Sequence, residues 1–272
     1  MDFMIAVPAF LGLVVGFLLA LTGAGGAIIS VPLLVFGVGL SLADAAPVAL
    51  LAVCMSAAVG AILGFRSGVL RYKAAMVMSV SGLILSPLGI WSATQVPNRP
   101  LSVIFALVLA YVSVNMFTKA QQALSGKAPD NAVGPPCMLD EMRGKLTWTL
   151  PCFRSMVIAG GLAGFLSGLL GVGGGFVIVP ALKRVTNLPA RAIVATSLGV
   201  ISLVSMGGAM TAAFVGRMPW DVALPFAFGA LMGMLLGRQF AQRLSGPRLQ
   251  QAFAVFAGGV AIVMIAKALL DI

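Results

Sequence analysis

Histidine is absent from this 272-residue chain, acidic residues number only 7, and charged residues of both signs make up 9% of the total. Each shortage excludes something. Without histidine the chain lacks the commonest general base and the commonest nitrogen ligand for a metal. A soluble domain carries about 25% charged residues to cover its surface, so 9% excludes a soluble globular protein. Cysteine is scarce too. Cys54, Cys137 and Cys152 have no C-x-x-C spacing and no histidine nearby, so they indicate neither zinc nor a redox dithiol and are expected to be free thiols. No Asp or Glu falls deep inside an apolar run: Asp44 and Asp221 sit at run ends, and Asp2 and Asp271 at the termini. Cation pathways usually carry intramembrane carboxylates, which argues against a sodium or proton pump. The parts of an intramembrane protease, such as H-E-x-x-H, paired aspartates or a Ser–His pair, are missing as well. Neither an enzyme nor a cofactor is expected.

What the chain has is apolar length. Hydrophobic residues make up 60%, with 33 glycines and 15 methionines that suit close helix packing and adaptable interiors. The pattern predicts an all-α polytopic membrane protein with helices at about 3–22, 27–40, 46–64, 74–94 and 101–118, then 155–170, 176–189, 192–214, 222–240 and 250–270. Most approach the roughly 20 residues needed to cross a bilayer. The second and seventh are nearer half-length or re-entrant. The polar stretch between Lys119 and Trp148, with Pro129, Pro135 and Pro136, reads as a linker. The N-terminal run follows Asp2 with no Lys or Arg and no obvious cleavage site, so it is expected to be a retained helix rather than a signal peptide.

The chain repeats itself. Residues 16–34 and 164–182 are identical at ten of nineteen positions at an offset of 148, and the same register pairs Leu50 with Leu198, Gly60 with Gly208, Gly68 with Gly216, Tyr72 with Trp220 and Gly89 with Gly237. Residues 1–124 therefore map onto 149–272, with 125–148 between them. Equivalent loops carry opposite charge loads. Arg66, Arg71 and Lys73 stand where the second half has only Arg217; Lys183, Arg184 and Arg191 stand where the first half has no basic residue. Short basic loops stay cytoplasmic, so the two halves are expected to be inverted. Five segments per half place all basic residues inside except Arg99, Arg217 and Lys267, with both termini outside and the linker in the cytoplasm. The net charge of +10 is then a topology signal and not a nucleic-acid footprint. Charge does not separate two versions of each half's first pair of segments, both crossing or a hairpin dipping to mid-membrane.

The chemistry concentrates in two Gly-rich breaks. One is Thr22, Gly23, Ala24, Gly25 and Gly26; the other is Gly171, Val172, Gly173, Gly174 and Gly175. Non-helical backbone at membrane depth must be buried in protein or line a wet cavity. Each break precedes a short helix, expected to begin at Ala27 and Phe176, whose N-terminal N–H groups would face the break. That arrangement accepts an anion without a charged side chain. Thr196 and Ser197 stand where the repeat has Val48 and Ala49, and their hydroxyls either donate to an oxyanion or bond back to their own helix. Ser30, Ser56, Ser167, Ser202 and Ser205 read as packing residues, as do the four-residue glycine spacings Gly12/Gly16, Gly160/Gly164/Gly168 and Gly229/Gly233/Gly237. Neither break fits a nucleotide fingerprint.

The doubled G-x-G-G-(G/A)-x-x-x-V-P-x-L pattern at 23–34 and 171–182, with Ala195-Thr196-Ser197-Leu198 and Gly216-x-x-x-Trp220, resembles the sulfite exporter TauE/SafE family. The first copy departs in having Ala27 where the second has Gly175. The resemblance implies a bacterial inner-membrane permease or exporter for small sulfur-containing anions such as sulfite or organosulfonates. With the breaks it gives a small anionic substrate, a lipid surround and alternating access of one repeat against the other. A passive anion channel is the first rival, and a membrane enzyme or assembly factor the second.

Overall fold

The computed structural model describes residues 2–23, 25–125, 137–140, 145–146, 148–216, 218–244 and 247–270. The linker residues Lys127, Pro129, Asp130, Pro135, Pro136, Glu141 and Arg143 lie outside the described residues, as do Ala24 and Arg217 and the side chains of Arg99, Arg243, Arg248 and Lys267. Among the described residues there are ten helices: α1 (Asp2–Thr22), α2 (Gly25–Gly37), α3 (Leu42–Arg66), α4 (Tyr72–Gln95), α5 (Asn98–Leu124), α6 (Leu150–Leu170), α7 (Gly175–Val185), α8 (Ala190–Phe214), α9 (Trp220–Leu244) and α10 (Pro247–Leu270). Six are long and apolar enough to cross a membrane. At 1.5 Å per residue α3 and α8 reach about 37 Å, whereas α7 reaches only about 16 Å. The outer surface is apolar, with Phe214 84% exposed and Ile262 70% exposed. In water such a surface aggregates, but lipid solvates it.

Local sequence explains the helix ends. Ser41 caps α3 by accepting from the Asp44 N–H at 3.2 Å, and Thr149 caps α6 by accepting from the Cys152 N–H at 3.3 Å. Gly68 and Gly216, equivalent at the offset of 148, close α3 and α8 with φ of 68° and 73°. Gly23 and Gly171, also equivalent, close α1 and α6 with φ of 74° and 70°. Only glycine takes this conformation cheaply. The duplicated glycines thus hold duplicated turns.

Packing follows the same duplication. The main helix partners are α1 with α9, α4 with α6, α3 with α8 and α5 with α10. Exchanging the halves turns the first pair into the second and leaves the last two unchanged. Glycine seams hold the first two pairs. A methyl on Gly12 or Gly16 would strike the Phe226 or Ala230 backbone, and one on Gly164 the Gly82 backbone. These glycines are packing residues, as their spacing predicts. The rising register of the α1–α9 contacts makes that pair parallel. Across α3 and α8, Gly60 meets Leu198, Gly64 meets Ala195 and Gly208 meets Leu50. One number rises as the other falls, so these two helices run antiparallel.

The linker departs from expectation. It holds a two-residue ladder, β1 (Leu139–Asp140) against β2 (Lys145–Leu146), antiparallel. Cys137 and Cys152 are joined in a disulfide with Cα atoms 5.0 Å apart, which corrects the expectation of three free thiols; only Cys54 is free. Backbone pairing that no cysteine spacing encodes brings the two together. The Cys137 N–H donates to the Val185 carbonyl at 3.0 Å, and Cys137 bridges Thr186 at the end of α7. At that end of the fold Lys119 of α5 also faces Lys183 and Arg184 of α7.

Candidate functional site

The two breaks are built from equivalent residues but not to the same depth. In the first, α1 ends at Thr22 and α2 begins at Gly25, two residues earlier than the expected Ala27. In the second, α6 ends at Leu170 and α7 begins only at Gly175. At the offset of 148, Gly25 and Gly26 are helical while their counterparts Gly173 and Gly174 are left-handed, with φ of 70° and 68°. The next position accounts for the direction of this difference. Ala27 favours helix over its counterpart Gly175 by about 1 kcal/mol.

The outer ends of the two breaks are matched. Gly23 packs on Val194, early in α8, and Gly171 packs on Ala46, early in α3; Ala46 and Val194 are themselves equivalent at the offset of 148. The inner part of the second break goes further. Gly173 lies against Val53 of α3 and against Ile201 and Ser205 of α8. Val53 and Ile201 are an equivalent pair near mid-length of their helices, so Gly173 reaches the point where the halves meet. The next residues along the two helices, Cys54 and Ser202, are also equivalent positions.

The backbone donors of the second break are unmet. Residues 171–176 are all buried. The Gly171 N–H donates to the Ser167 carbonyl at 2.8 Å, and Val177 and Ile178 both donate to the Gly174 carbonyl. Gly175 sits in the turn that opens α7. Among the described residues, the N–H groups of Val172, Gly173, Gly174 and Phe176 have no backbone acceptor in hydrogen-bonding geometry. Each buried donor left unpaired costs about 1–3 kcal/mol. They form a buried cluster of unpaired donors at the positive end of α7.

The hydroxyls divide between the breaks. Thr22 Oγ1 donates to the Leu18 carbonyl at 2.7 Å, and Ser197 Oγ donates to the Val194 carbonyl at 2.9 Å. Ser197 thus bonds back to its own helix. Thr196 Oγ1 accepts the Arg71 N–H at 3.1 Å, tying the start of α4 to α8. Thr196 and Ser197 are fully buried within one turn after Val194, at the level of the first break. Ser30, Ser56 and Ser81 bond back to their own helices as buried helical serines do. Ser205 does not. It is fully buried, and its Oγ has no hydrogen-bond partner among the described residues. A methyl built on Gly173 would stand 2.7 Å from that oxygen. The sequence marks Ser205 only by a broken repeat, since its counterpart is Ala57.

A small cleft adjoins the break, lined among others by Val172 and Phe176, by Ile28 of α2, and by Phe105 and Leu109 of α5. Its lining is apolar, so it offers no grip on an anion. Among the described residues no group of three or more His, Cys, Asp or Glu side chains comes together to hold a metal.

Comparison with known proteins agrees with this architecture. The family profile for sulfite exporter TauE/SafE matches residues 8–264. A probable membrane transporter protein of Xylella fastidiosa is 28% identical over 257 residues, covering 93% of this chain and 92% of its own length. Another, from Bacillus subtilis, is 28% identical over 244 residues, covering 87% and 88%. A third, from Methanocaldococcus jannaschii, is 25% identical over 281 residues and covers 97% of each chain. No solved structure matches the chain. These relatives are transporters rather than enzymes, and the chain belongs to the sulfite exporter TauE/SafE family of membrane transporters.

Proposed function

We propose that the protein is a bacterial inner-membrane permease that moves small sulfur oxyanions or organosulfonates by alternating access. In this reading residues 1–124 and 149–272 are inverted repeats, the linker 125–148 is cytoplasmic and both termini are periplasmic. The exchange of helix partners between halves and the antiparallel crossing of α3 and α8 support the inversion.

The observation that carries the substrate class is the second break. Its buried N–H groups are donors without acceptors, at the positive end of a short helix, with no charged side chain in the break. Such a surface fits a guest that is only an acceptor, which describes an oxyanion. It binds by many neutral donors and not by an ion pair, so the guest is held firmly enough to be selected and loosely enough to be released. Thr22, Gly23, Gly25 and Gly26 of the first break, and Thr196 and Ser197 beside it, complete the proposed path. One repeat rocks against the other about the α3–α8 crossing and opens the break to each side in turn.

Purified protein in liposomes tests this. Saturable uptake of sulfite, thiosulfate or a sulfonate, accelerated by the same anion on the far side, is the expected result. An unsaturated, voltage-driven anion current would make the protein a channel and end the alternating-access reading.

A further inference from the structure

The site proposed above is assembled from both breaks, yet the two are unequal in the respect that matters for a ligand. At the first break Thr22 and Ser197 donate their hydroxyl protons to their own helices, and Thr196 serves the start of α4. At the second break Ser205 is fully buried, unpartnered and set against Gly173, beside backbone N–H groups that also lack acceptors. A buried helical serine ordinarily donates to the carbonyl three or four residues earlier, as Ser56 does to Ala52. A hydroxyl that forgoes that bond inside a protein is expensive unless something else completes it.

Resting on the anion-permease reading, we propose that Ser205 Oγ donates directly to an oxygen of the transported anion. In this assignment the N–H groups of Gly173, Gly174 and Phe176 hold the remaining oxygens, and the second break alone is the binding site. The hydroxyl and the amides are donors of different origin, one from mid-length α8 and the others from the start of α7. A guest bound between them therefore couples the short helix to the central crossing. The ligand is a compact group with at least two acceptor oxygens, such as sulfite or the head of a sulfonate. The first break, where Ala57 stands in place of the serine, is a structural copy that shapes the path without holding the anion.

The test is concentration-dependent uptake of radiolabelled sulfite into proteoliposomes by the full chain, with thermal unfolding measured on the same samples. Ser205→Ala is expected to raise the half-saturating concentration about tenfold, the scale of one lost hydrogen bond to a charged group. Its thermal stability should be unchanged or higher, because an unsatisfied buried hydroxyl has gone. Ser205→Thr, which keeps the hydroxyl, should restore most of the affinity. Adding Ala57→Ser to Ser205→Ala should restore none. Saturation by Ser205→Ala indistinguishable from wild type overturns the assignment and leaves the permease reading intact. So does full rescue by Ala57→Ser, which would make the breaks interchangeable. Wild-type protein with no saturable sulfite uptake overturns the permease reading for this anion, and the role of Ser205 in it falls too.

Discussion

The two Gly-rich breaks begin alike and end differently. Gly23 and Gly171 turn the chain in the same left-handed conformation and pack on equivalent residues of α8 and α3. Two residues later the copies part: Gly25 enters a helix, while Gly173 and Gly174 continue as left-handed backbone and α7 starts late. A duplicated motif thus supplies a shared turn and then one longer, buried stretch whose donors are unmet. Duplication preserves the scaffold, and under the proposed assignment the departures from it mark where function has become asymmetric.

The largest expected effect strikes the shared turn. Gly171→Leu must adopt φ of 70° and would press into the Cα of Ala46, whereas Gly23→Leu would press only on the side chain of Val194. The left-handed conformation costs about 1–2 kcal/mol, and forced overpacking about 1–3 kcal/mol more. Backbone yields less readily than a valine side chain. Gly171→Leu should therefore lose most of its monodisperse protein in detergent, and Gly23→Leu should lose less. Equal losses would mean that the two turns are equally constrained.

The next effect separates the inner residues. Gly173→Ala puts a Cβ at positive φ, 2.7 Å from Ser205 Oγ and 3.1 Å from Val53 Cγ1. Gly25→Ala places alanine in the first turn of α2, where helix propensity favours it by about 1 kcal/mol. Sulfite uptake should fall about tenfold or more for Gly173→Ala. For Gly25→Ala it should stay within about twofold of wild type. A reversal of that order would move the binding role to the first break.

Much of this was legible in the residues. Hydrophobic length gave ten helices, and the glycine spacings gave the seams. Less visible was how two nearly identical motifs diverge, because Gly25 and Gly173 are the same residue in the same pattern. Their conformations are decided two positions further along the chain, by Ala27 or Gly175, and by the surroundings in three dimensions. Ser205 was hidden for a related reason: a mid-helix serine has a default partner in its own helix, and only the fold shows that the default is not taken. The Cys137–Cys152 pair lay beyond any spacing rule, since the strap that joins them forms by pairing with the end of α7.

A third measurement concerns which side each break faces. Inverted repeats with a cytoplasmic linker put Gly23 toward the cytoplasm and Gly171 toward the periplasm. Cys137 is fully buried and bonded, so it reports poorly. In a cysteine-free chain, Ser125→Cys at the exposed end of α5 should react with an impermeant maleimide only in inverted vesicles. Labelling in intact cells would reverse the orientation and exchange the sides of the two breaks.

The smallest expected effect tests whether the far end of α7 matters to its near end. The linker strap holds Val185 and Thr186 at the C-terminal end of α7, while the proposed anion site lies at the opposite end, beyond Gly175. A cytoplasmic linker would sit in a reducing compartment, where the pair should be a dithiol in cells and oxidise after extraction. Closing a loop of about 15 residues stabilises a fold by up to about 3 kcal/mol, mostly by restricting the unfolded chain. Such a term acts on unfolding and leaves the local geometry of the break alone. Cys137→Ser with Cys152→Ser should therefore lower the unfolding temperature of oxidised protein in detergent and abolish its response to reductant. Sulfite uptake should stay within about twofold of wild type, since no donor at the break has moved. A large loss of uptake at full folding would tie the motion of α7 to its strap, a second asymmetry between α7 and α2 located at the opposite end of the helix from the break.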